Sequence, residues 1–454
     1  MLTLTPTPGI VGRVLRRGEE SYEHHRRGAC WHDRVPEQYP EVIVLATTDD
    51  DVVGAVRLAN REGLKVAVKS GGHSWSGSHL RDGSVLIDLS NMRRAEVDKE
   101  AMTAIVQPGI KSTELSRGLA AEGLFFPTGH NVNVGLGGFL LQGGFPWAGR
   151  DYGPACMSVA GIDAVTASGE LIHADESENA DLFWAARGAG PGFFAVVTKF
   201  YLRLYPRRAV TMSSSYVFPA DCLADVFGFV HEIGTTTPIE LTGGIARLPL
   251  TDGEPAVMLS AVAFTDTEEE AREQLAILES VPGRSRAISV DLFRLTSHVE
   301  ITEASQFLID DSLRWVADNV FTHSPFPKVQ PVLEDIVEHF PPFPSHLVLA
   351  SWTGGPDQPE RPSMAFSMED ELYYALYAAW TDAADDEKFI GLVTDSMRAF
   401  EPHVTGTMLA DENLKHRPSR FVTDENLRRL DELREVWDPK RIFVSWLGRP
   451  DSAS

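Results

Sequence analysis

The chain has 454 residues and a formal net charge of −24, with 65 acidic against 41 basic side chains. This length exceeds what one ordinary core organises, so we expect two or three domains. An acidic surface repels phosphate backbones, and nucleic acid is therefore not an expected partner. No stretch approaches the ~18 apolar residues of a membrane-spanning helix, so no membrane partner is expected either.

The first residues and the cysteines indicate a cytoplasmic protein. Residues 1–28 carry paired arginines without an apolar core after them, so they lack the middle region of an export signal. Cys30, Cys156 and Cys222 are odd in number and show no CxxC spacing. This pattern argues against a disulfide framework and a structural zinc site, and no metal site is predicted.

A strand, a helix and a second strand are predicted between residues 42 and 70. Thr48 and Asp51 have the spacing of a capping box, and Gly63 is a helix stop. A further strand is predicted at 84–90, followed by a helix that starts near Ser112 and stops at Gly123.

Residues 129–153 are rich in glycine but also contain Val, Leu and Phe, which predicts a structured backbone rather than a flexible linker. Short strands are predicted at 158–174, with Ser168-Gly169 as the turn between them. A helix, a glycine-rich loop and a strand then lead to Tyr205-Pro206, where the composition changes.

The segment from 207 to about 400 combines amphipathic helices, such as DTEEEAREQLAILESV, with alternating strands, such as HLVLASW. This combination predicts a separate α+β domain. The last segment predicts an amphipathic helix that ends at Asp438-Pro439 and is followed by a short strand.

Three glycine clusters, at 71–72, 135–144 and 188–192, favour a cofactor site over turns alone. A GxGxxG run from Gly135 would need glycine at position 140, which is Leu140, and no helix-opening pattern is expected there. The nicotinamide Rossmann site is therefore disfavoured, and no P-loop run appears. Successive main-chain N–H groups without side chains can still bind a pyrophosphate.

His73 directly follows the first of these clusters. A lone loop histidine is usually a satisfied surface residue. A neutral imidazole held at a glycine turn beside a cofactor can instead act as a nucleophile and form a covalent bond.

The strings KSGGHSWSG, GHNVNVGLGGFLLQGGF, DLFWAARGAGPGFFAVVTKFYLRLYP and WDPKRIF resemble the FAD-linked oxidases of the vanillyl-alcohol oxidase (PCMH) type. Within that family the chain is most similar to the berberine bridge enzyme-like and 6-hydroxy-D-nicotine oxidase-like branch. The resemblance covers about residues 35–206 and 400–446. It implies a two-domain α+β fold in which 1–206 and 400–454 bind FAD, while 207–399 form a substrate domain with an antiparallel sheet covered by helices.

The resemblance also implies the cofactor-binding residues. His73 is the residue that attaches to the flavin, and Asn131 stands where many relatives carry a cysteine as a second tether, so the FAD is expected to be covalent through His73 only. Val134 matches a position where oxygen-using members place a small aliphatic residue. The full set comprises Lys69, Ser70, Gly71, Gly72, His73, Ser74, Gly129, Asn131, Asn133, Val134, Gly135, Gly138, Gly143, Gly144 and Val196.

The catalytic base is less defined, because Phe145 and Met408 replace tyrosines that are frequent in the family. Side chains with suitable chemistry for proton abstraction are Tyr152, His130 and Glu412, each of which can also be structural. Trp147, Tyr373 and Tyr374 either line a substrate pocket or fill a core.

The expected reaction removes a hydride from an alcohol or amine C–H bond of a small organic substrate and reduces oxygen to hydrogen peroxide. FAD, the small-molecule substrate and oxygen are the expected binding partners. Two alternatives stay open: a flavin dehydrogenase that uses another electron acceptor, and a flavin-binding protein that has lost turnover. Substrate identity and oligomeric state are not predicted.

Overall fold

The structure, a computed structural model, describes residues 9–351, 354–355 and 358–449. Its strands are β1 (Arg13–Arg16), β2 (Val42–Leu45), β3 (Lys65–Lys69), β4 (Ser84–Asp88), β5 (Ala95–Asp98), β6 (Thr103–Val106), β7 (Leu124–Phe125), β8 (Val159–Val165), β9 (Leu171–Asp175), β10 (Val196–Arg203), β11 (Tyr205–Pro206), β12 (Val210–Pro219), β13 (Glu240–Arg247), β14 (Pro255–Thr265), β15 (Ser289–Thr296), β16 (Arg314–Thr322), β17 (His346–Ser351) and β18 (Leu372–Trp380). Its helices are α1 (Tyr22–Arg27), α2 (Asp49–Glu62), α3 (Ser112–Ala121), α4 (Leu136–Leu141), α5 (Gly149–Tyr152), α6 (Ala180–Ala186), α7 (Leu223–Ile233), α8 (Glu268–Leu275), α9 (His298–Ala304), α10 (Phe326–Glu338), α11 (Asp386–Ala399) and α12 (Asp424–Trp437).

Two expectations fall partly outside the described residues. Residues 1–8 belong to the segment predicted to lack an export signal, and Trp352 is the last residue of the predicted strand HLVLASW. No helix within the described ranges combines the length and hydropathy that crossing a membrane requires. The cytoplasmic location stays a prediction.

The first sheet has the order β1-β2-β4-β3, with parallel pairing among β2, β4 and β3. The predicted capping box of α2 is present, because the Asp51 amide donates to Thr48 Oγ1 at 3.2 Å and the Thr48 amide donates to Asp51 Oδ2 at 3.1 Å. Gly63 ends this helix in the left-handed conformation, with φ of 68°. The predicted strand–helix–strand unit is therefore confirmed.

The second sheet is antiparallel and has the order β5-β6-β10-β8-β9. The predicted turn between β8 and β9 is present, with Gly169 at φ 77°. Both sheets contribute to one hydrophobic core, which also takes residues from 409–446 at the far end of the chain. The C-terminal segment thus packs with the first half of the chain.

Two local predictions are wrong. A short helix, α4, does begin inside the glycine run and has Gly135 as its N-cap. The segment after α12 forms an isolated bridge between Phe443 and Val66 rather than a strand. In both places backbone hydrogen bonds to distant segments decide the local structure: the Leu136 amide donates to the Ile110 carbonyl at 3.0 Å, and the Val66 amide donates to the Ile442 carbonyl at 2.7 Å.

A seven-stranded antiparallel sheet of order β15-β12-β14-β13-β17-β18-β16 dominates the middle of the chain. Helices α7, α8, α10 and α11 pack on one face and form a second core. Part of the other face lines a large cavity. The sheet begins after Pro206 and α11 ends at Ala399, which supports the domain boundaries that we propose at 206/207 and 399/400.

A buried carboxyl lies where this sheet meets the first half of the chain. Glu240 on β13 accepts a hydrogen bond from the Gly149 amide at 2.9 Å. The neighbouring Arg150 donates to the Thr237 carbonyl and to Ser351 Oγ, at 3.1 and 2.9 Å from its Nε and Nη1. Burial is the largest influence on Glu240 and raises its pKa from 4.5 to about 8, although the Gly149 amide and Arg150 oppose the shift.

This raised pKa predicts that stability falls as pH rises. Native Glu240 keeps its proton between pH 4.5 and about 8, whereas the unfolded chain loses it, so up to ~1.4 kcal/mol of unfolding free energy is lost per pH unit in that window. We expect Glu240→Gln to be less sensitive to pH in denaturant titrations from pH 5 to 9. Glu254→Gln, at an exposed turn, is the control and should follow the wild type. Equal slopes for Glu240→Gln and wild type would contradict the assignment.

Candidate active site

A cavity of about 1000 Å³ lies between the glycine-rich segments and the face of the seven-stranded sheet. This volume is at the upper end of the range for small-molecule and cofactor sites. Its lining includes residues 68–74, the segment residues Val134, Gly135, Gly137 and Gly138, and residues from the sheet.

The two glycine segments touch backbone to backbone. A Cβ atom on Gly71 would lie 2.4 Å from the Gly135 nitrogen, and one on Gly135 would lie 2.5 Å from the Gly71 nitrogen. Gly72 has φ of 74°, a conformation that favours glycine. The result is a wall of main-chain amides without side chains, which suits a pyrophosphate. Just before it, Lys69 forms a buried ion pair with Asp88 at 2.9 Å.

His73 follows this turn and lines the cavity. Its ring stacks on Trp31 with a centroid separation of 4.5 Å and an interplanar angle of 3°. Burial lowers the pKa of His73 to about 4, so the imidazole is neutral at physiological pH. Its buried Nε2 atom has no hydrogen-bond partner among the described residues. A neutral imidazole of this kind fits a nucleophile aimed at a bound group.

A buried carboxylate cluster lines the same cavity. Asp411 Oδ2 accepts hydrogen bonds from the hydroxyls of Tyr373 and Tyr377, at 2.6 and 3.0 Å. Burial raises the pKa of Asp411, and these two phenols together with the Trp75 side chain partly oppose the increase. Burial also raises the pKa of Tyr377 well above 10, so its phenol stays protonated. The cluster therefore has a carboxyl with increased proton affinity at the cavity wall.

His346 stacks on Tyr377 with a centroid separation of 4.6 Å. Its Nδ1 atom lies 3.1 Å from the Pro344 carbonyl, an acceptor, so Nδ1 carries the proton and Nε2 is left as an acceptor. Burial lowers the pKa of His346 to about 4. This neutral ring adds a hydrogen-bond acceptor next to the carboxylate cluster.

Comparison with known proteins agrees with this geometry. A family model described as FAD binding domain matches residues 40–175. The FAD-linked oxidoreductase nodO of Hypoxylon pulicicidum is 34% identical over 437 residues, which cover 94% of this chain and 95% of that protein. The chain belongs to the FAD-linked oxidoreductases.

The fold of this FAD-linked oxidoreductase matches solved structures over nearly the whole chain. The structure of 6-hydroxy-D-nicotine oxidase from Arthrobacter nicotinovorans has a TM-score of 0.84 at 23% identity and covers 99% of both chains. BBE-like 1 from Physcomitrella patens also has a TM-score of 0.84, at 18% identity and 96% of both chains. The predicted PCMH-type α+β fold and the predicted resemblance are confirmed.

Most of the residues predicted to bind FAD line the cavity. The unpartnered His73 nitrogen and the backbone wall at Gly71 and Gly135 fit the isoalloxazine edge and the pyrophosphate of FAD. The predicted positions at the cavity wall are Lys69, Ser70, Gly71, Gly72, His73, Ser74, Gly129, Asn131, Val134, Gly135 and Gly138.

Four predicted positions do not line the cavity, and their part in binding FAD stays a prediction. Asn133 is exposed, and its Oδ1 accepts from Lys111 Nζ at 2.9 Å. A Cβ on Gly143 would lie 2.5 Å from the ring of Phe366, and a Cβ on Gly144 would lie 2.8 Å from the ring of Phe139. Both glycines therefore allow an aromatic ring to pack closely against the backbone. Val196 is fully buried on β10, and its neighbours Ala195 and Val197 reach the cavity instead.

Two of the three candidate bases also lie away from the cavity wall. Tyr152 packs against the rings of Phe125 and Tyr205 and borders a smaller, separate cavity. Glu412 accepts hydrogen bonds from Ser76 Oγ and, at 2.8 Å, from the Leu414 amide. Burial raises the pKa of Glu412 to about 7, but the carboxyl is enclosed by its own partners.

Among the three candidates, His130 alone reaches the cavity. Its ring lies 4.2 Å from that of Trp147, and burial lowers its pKa to about 3. Sequence reasoning missed Asp411, Tyr377 and His346. The sequence does show that Tyr373 and Tyr377, four residues apart on a strand, lie on the same face. It does not show that Asp411 contacts that face.

The contact between the two glycine segments predicts a strong effect of a single methyl group. We expect Gly71→Ala to lower the unfolding free energy by about 1–3 kcal/mol and to reduce bound FAD, because the Gly135 backbone must move. The measurements are denaturant titration and the ratio of flavin to protein. Gly118→Ala, on the exposed face of α3 with open space around it, is the control and should be neutral or slightly stabilising. Full FAD content in Gly71→Ala would contradict the role of this contact.

Proposed function

We propose that the protein is an FAD-dependent oxidase that removes a hydride from an alcohol or amine C–H bond and passes the electrons to oxygen, giving hydrogen peroxide. FAD supplies the hydride acceptor and the route of electrons to oxygen. The chain supplies the binding wall, a tether and a proton acceptor. The observation that carries the proposal is the buried Asp411–Tyr377 pair in the same cavity as His73 and the glycine wall.

In this proposal Asp411 accepts the proton of the substrate O–H or N–H group. Its carboxyl is buried and has a raised pKa, so it holds a proton more strongly than an exposed aspartate does. Tyr377 donates its hydroxyl proton to Asp411 Oδ2 at 3.0 Å and also lines the cavity. A substrate hydroxyl that contacts the Tyr377 oxygen can therefore pass its proton through the phenol to the carboxylate.

The other partners of Asp411 hold the carboxylate in one orientation. Tyr373 donates to the same Oδ2 atom at 2.6 Å, and the Trp75 side chain adds a further donor. His346, stacked on Tyr377, offers Nε2 as an acceptor for a second polar hydrogen of the substrate. The site thus has one group that takes the proton and one group that can orient the substrate.

We further infer that FAD is attached through His73 alone. Support comes from the neutral, buried ring and its unpartnered Nε2 atom, and from Asn131 at the position where many relatives carry a second tethering residue. Trp31 limits rotation of the imidazole by stacking on it. A fixed, unprotonated ring nitrogen suits bond formation with an electrophilic carbon.

Oxygen is the proposed electron acceptor, and the support for it is the small aliphatic residue Val134 at the cavity wall. The name of the structural neighbour 6-hydroxy-D-nicotine oxidase agrees with this assignment. Slow reoxidation of the reduced protein in air would exclude the oxidase and leave a dehydrogenase with another acceptor.

The tether predicts how the flavin colour behaves in acid. We expect the yellow colour of the wild-type protein to stay with the pellet after acid precipitation, because the bond to His73 survives unfolding. In His73→Ala the colour should move to the supernatant. His24→Ala, an exposed histidine on α1, is the control and should behave as wild type. A coloured pellet from His73→Ala would place the bond elsewhere.

The proton acceptor predicts a specific loss of the reductive step. With the alcohol or amine that bleaches the wild-type flavin fastest in an anaerobic panel, we expect Asp411→Asn to slow bleaching ~10²–10⁴-fold. The wild-type rate should rise with pH through the apparent pKa of Asp411, which lies above its ordinary 3.8, because the carboxyl must be ionised to accept a proton. The exposed Asp311→Asn is the control. An unchanged bleaching rate in Asp411→Asn would contradict the assignment of Asp411 as the proton acceptor.

A further inference from the structure

The half of the cavity away from the glycine wall is floored by the seven-stranded sheet. Strands β12, β14, β13, β17 and β18 are consecutive neighbours, and each contributes residues to the cavity wall. Neighbouring strands lie ~4.8 Å apart, so four spacings make a floor about 19 Å wide. Tyr377, on β18, stands at one side of this floor, next to Asp411.

An apolar row crosses the floor. Val217 pairs with Met258, Met258 with Gly244, and Gly244 with Val348, so these four residues are side by side on four adjacent strands. All of them line the cavity. Gly244 keeps the middle of the row open, because a Cβ there would come within 2.9 Å of the Met258 methyl group.

A row of hydroxyl groups runs beside the apolar row. Ser215 pairs with Ser260, and Ser260 with Thr242, two residues along the same three strands. Two residues along a strand correspond to ~7 Å, and the three side chains also line the cavity. The floor far from Tyr377 therefore has an apolar strip with hydrogen-bonding groups along one edge.

The surroundings of this floor show where it opens. Leu308 and Ile309, which follow α9, add apolar wall. Phe307 and Leu250 line the cavity and are 58% and 52% exposed, so they mark an apolar mouth. At the rim, Asp291 and Arg294 form an exposed ion pair at 3.7 Å. Neither of the two rows on the floor contains a charged side chain.

We propose that the substrate is an uncharged, elongated lipophilic alcohol or amine. Its reacting end lies at Asp411 and Tyr377, and its apolar body lies along the row from Val348 to Val217, a length of about 14 Å over three strand spacings. An oligosaccharide would place hydroxyls against this apolar row without partners, which is costly. This inference rests on the proposed function and names the substrate class for that site.

The test is an anaerobic titration of the yellow holoprotein with 1-butanol and with 1-decanol, followed by the change in flavin absorbance. Each buried methylene adds to the affinity, so we expect the Kd of 1-decanol to be lower than that of 1-butanol by about 100-fold or more. Xylobiose serves as the polar probe of comparable length and should bind more weakly than 1-decanol.

Variants locate the effect on the floor. We expect Gly244→Phe to reduce the affinity ratio of the two alcohols to below about 10, because the ring occupies the middle of the apolar row. We expect Val348→Trp, on the neighbouring strand, to reduce the affinity ratio in the same way. This second variant keeps the test valid if Gly244→Phe does not fold. Gly391→Phe, on α11 with open space around it, is the matched control and should keep the wild-type ratio.

Three outcomes with yellow protein would overturn the inference: equal affinities for the two alcohols, tighter binding of xylobiose than of 1-decanol, or no spectral change with either alcohol. An unchanged ratio in both floor variants would overturn it as well. A preparation that contains no flavin and takes none up would instead overturn the proposed function, together with this inference.

Discussion

The close contact between the Gly71 and Gly135 backbones is the constraint on which the site depends. Each segment is fixed from its own side: β3 leads directly into Gly71, while the Ser112 amide donates to the Val134 carbonyl at 2.9 Å and α4 begins after Gly135. A side chain at either glycine would separate the segments. The positions of His73 and Val134 follow from this contact, because both residues are within two positions of it.

The other half of the site depends on a second long-range anchor. Asn319 on β16 donates from Nδ2 to the carbonyls of Met408 and Asp411, at 3.0 and 2.9 Å, and its Oδ1 accepts from the Met408 amide at 2.7 Å. This buried side chain holds the turn that carries Asp411 against the sheet. Because Tyr377 and Tyr373 lie on the neighbouring strand β18, the same anchor sets the distance between the phenols and the carboxylate.

The sequence predicted the parts of the molecule whose structure is determined by residues close together in the chain. Thr48, Asp51 and Gly63 define α2 within the chain itself, and the double glycine before His73 predicted the turn that now lines the cavity. The domain boundaries stay a prediction, which the sheet limits support. The carboxylate cluster could not be predicted, because its members are brought together by strand pairing and by Asn319. Tyr152 and Glu412 were chosen by residue type, which does not determine the surroundings of a side chain.

The charges around the cavity determine which substrates are compatible with Asp411 as the proposed proton acceptor. Lys69 is neutralised by Asp88, and His73 and His346 are neutral, so in the proposed site Asp411 is the carboxyl that a substrate meets beside Tyr377. A cationic substrate would pair with the carboxylate and lower its proton affinity, opposing the effect of burial. A neutral alcohol or amine leaves that affinity intact. In the proposed reaction, transfer of its proton to Asp411 neutralises the positive charge that loss of a hydride creates on the substrate.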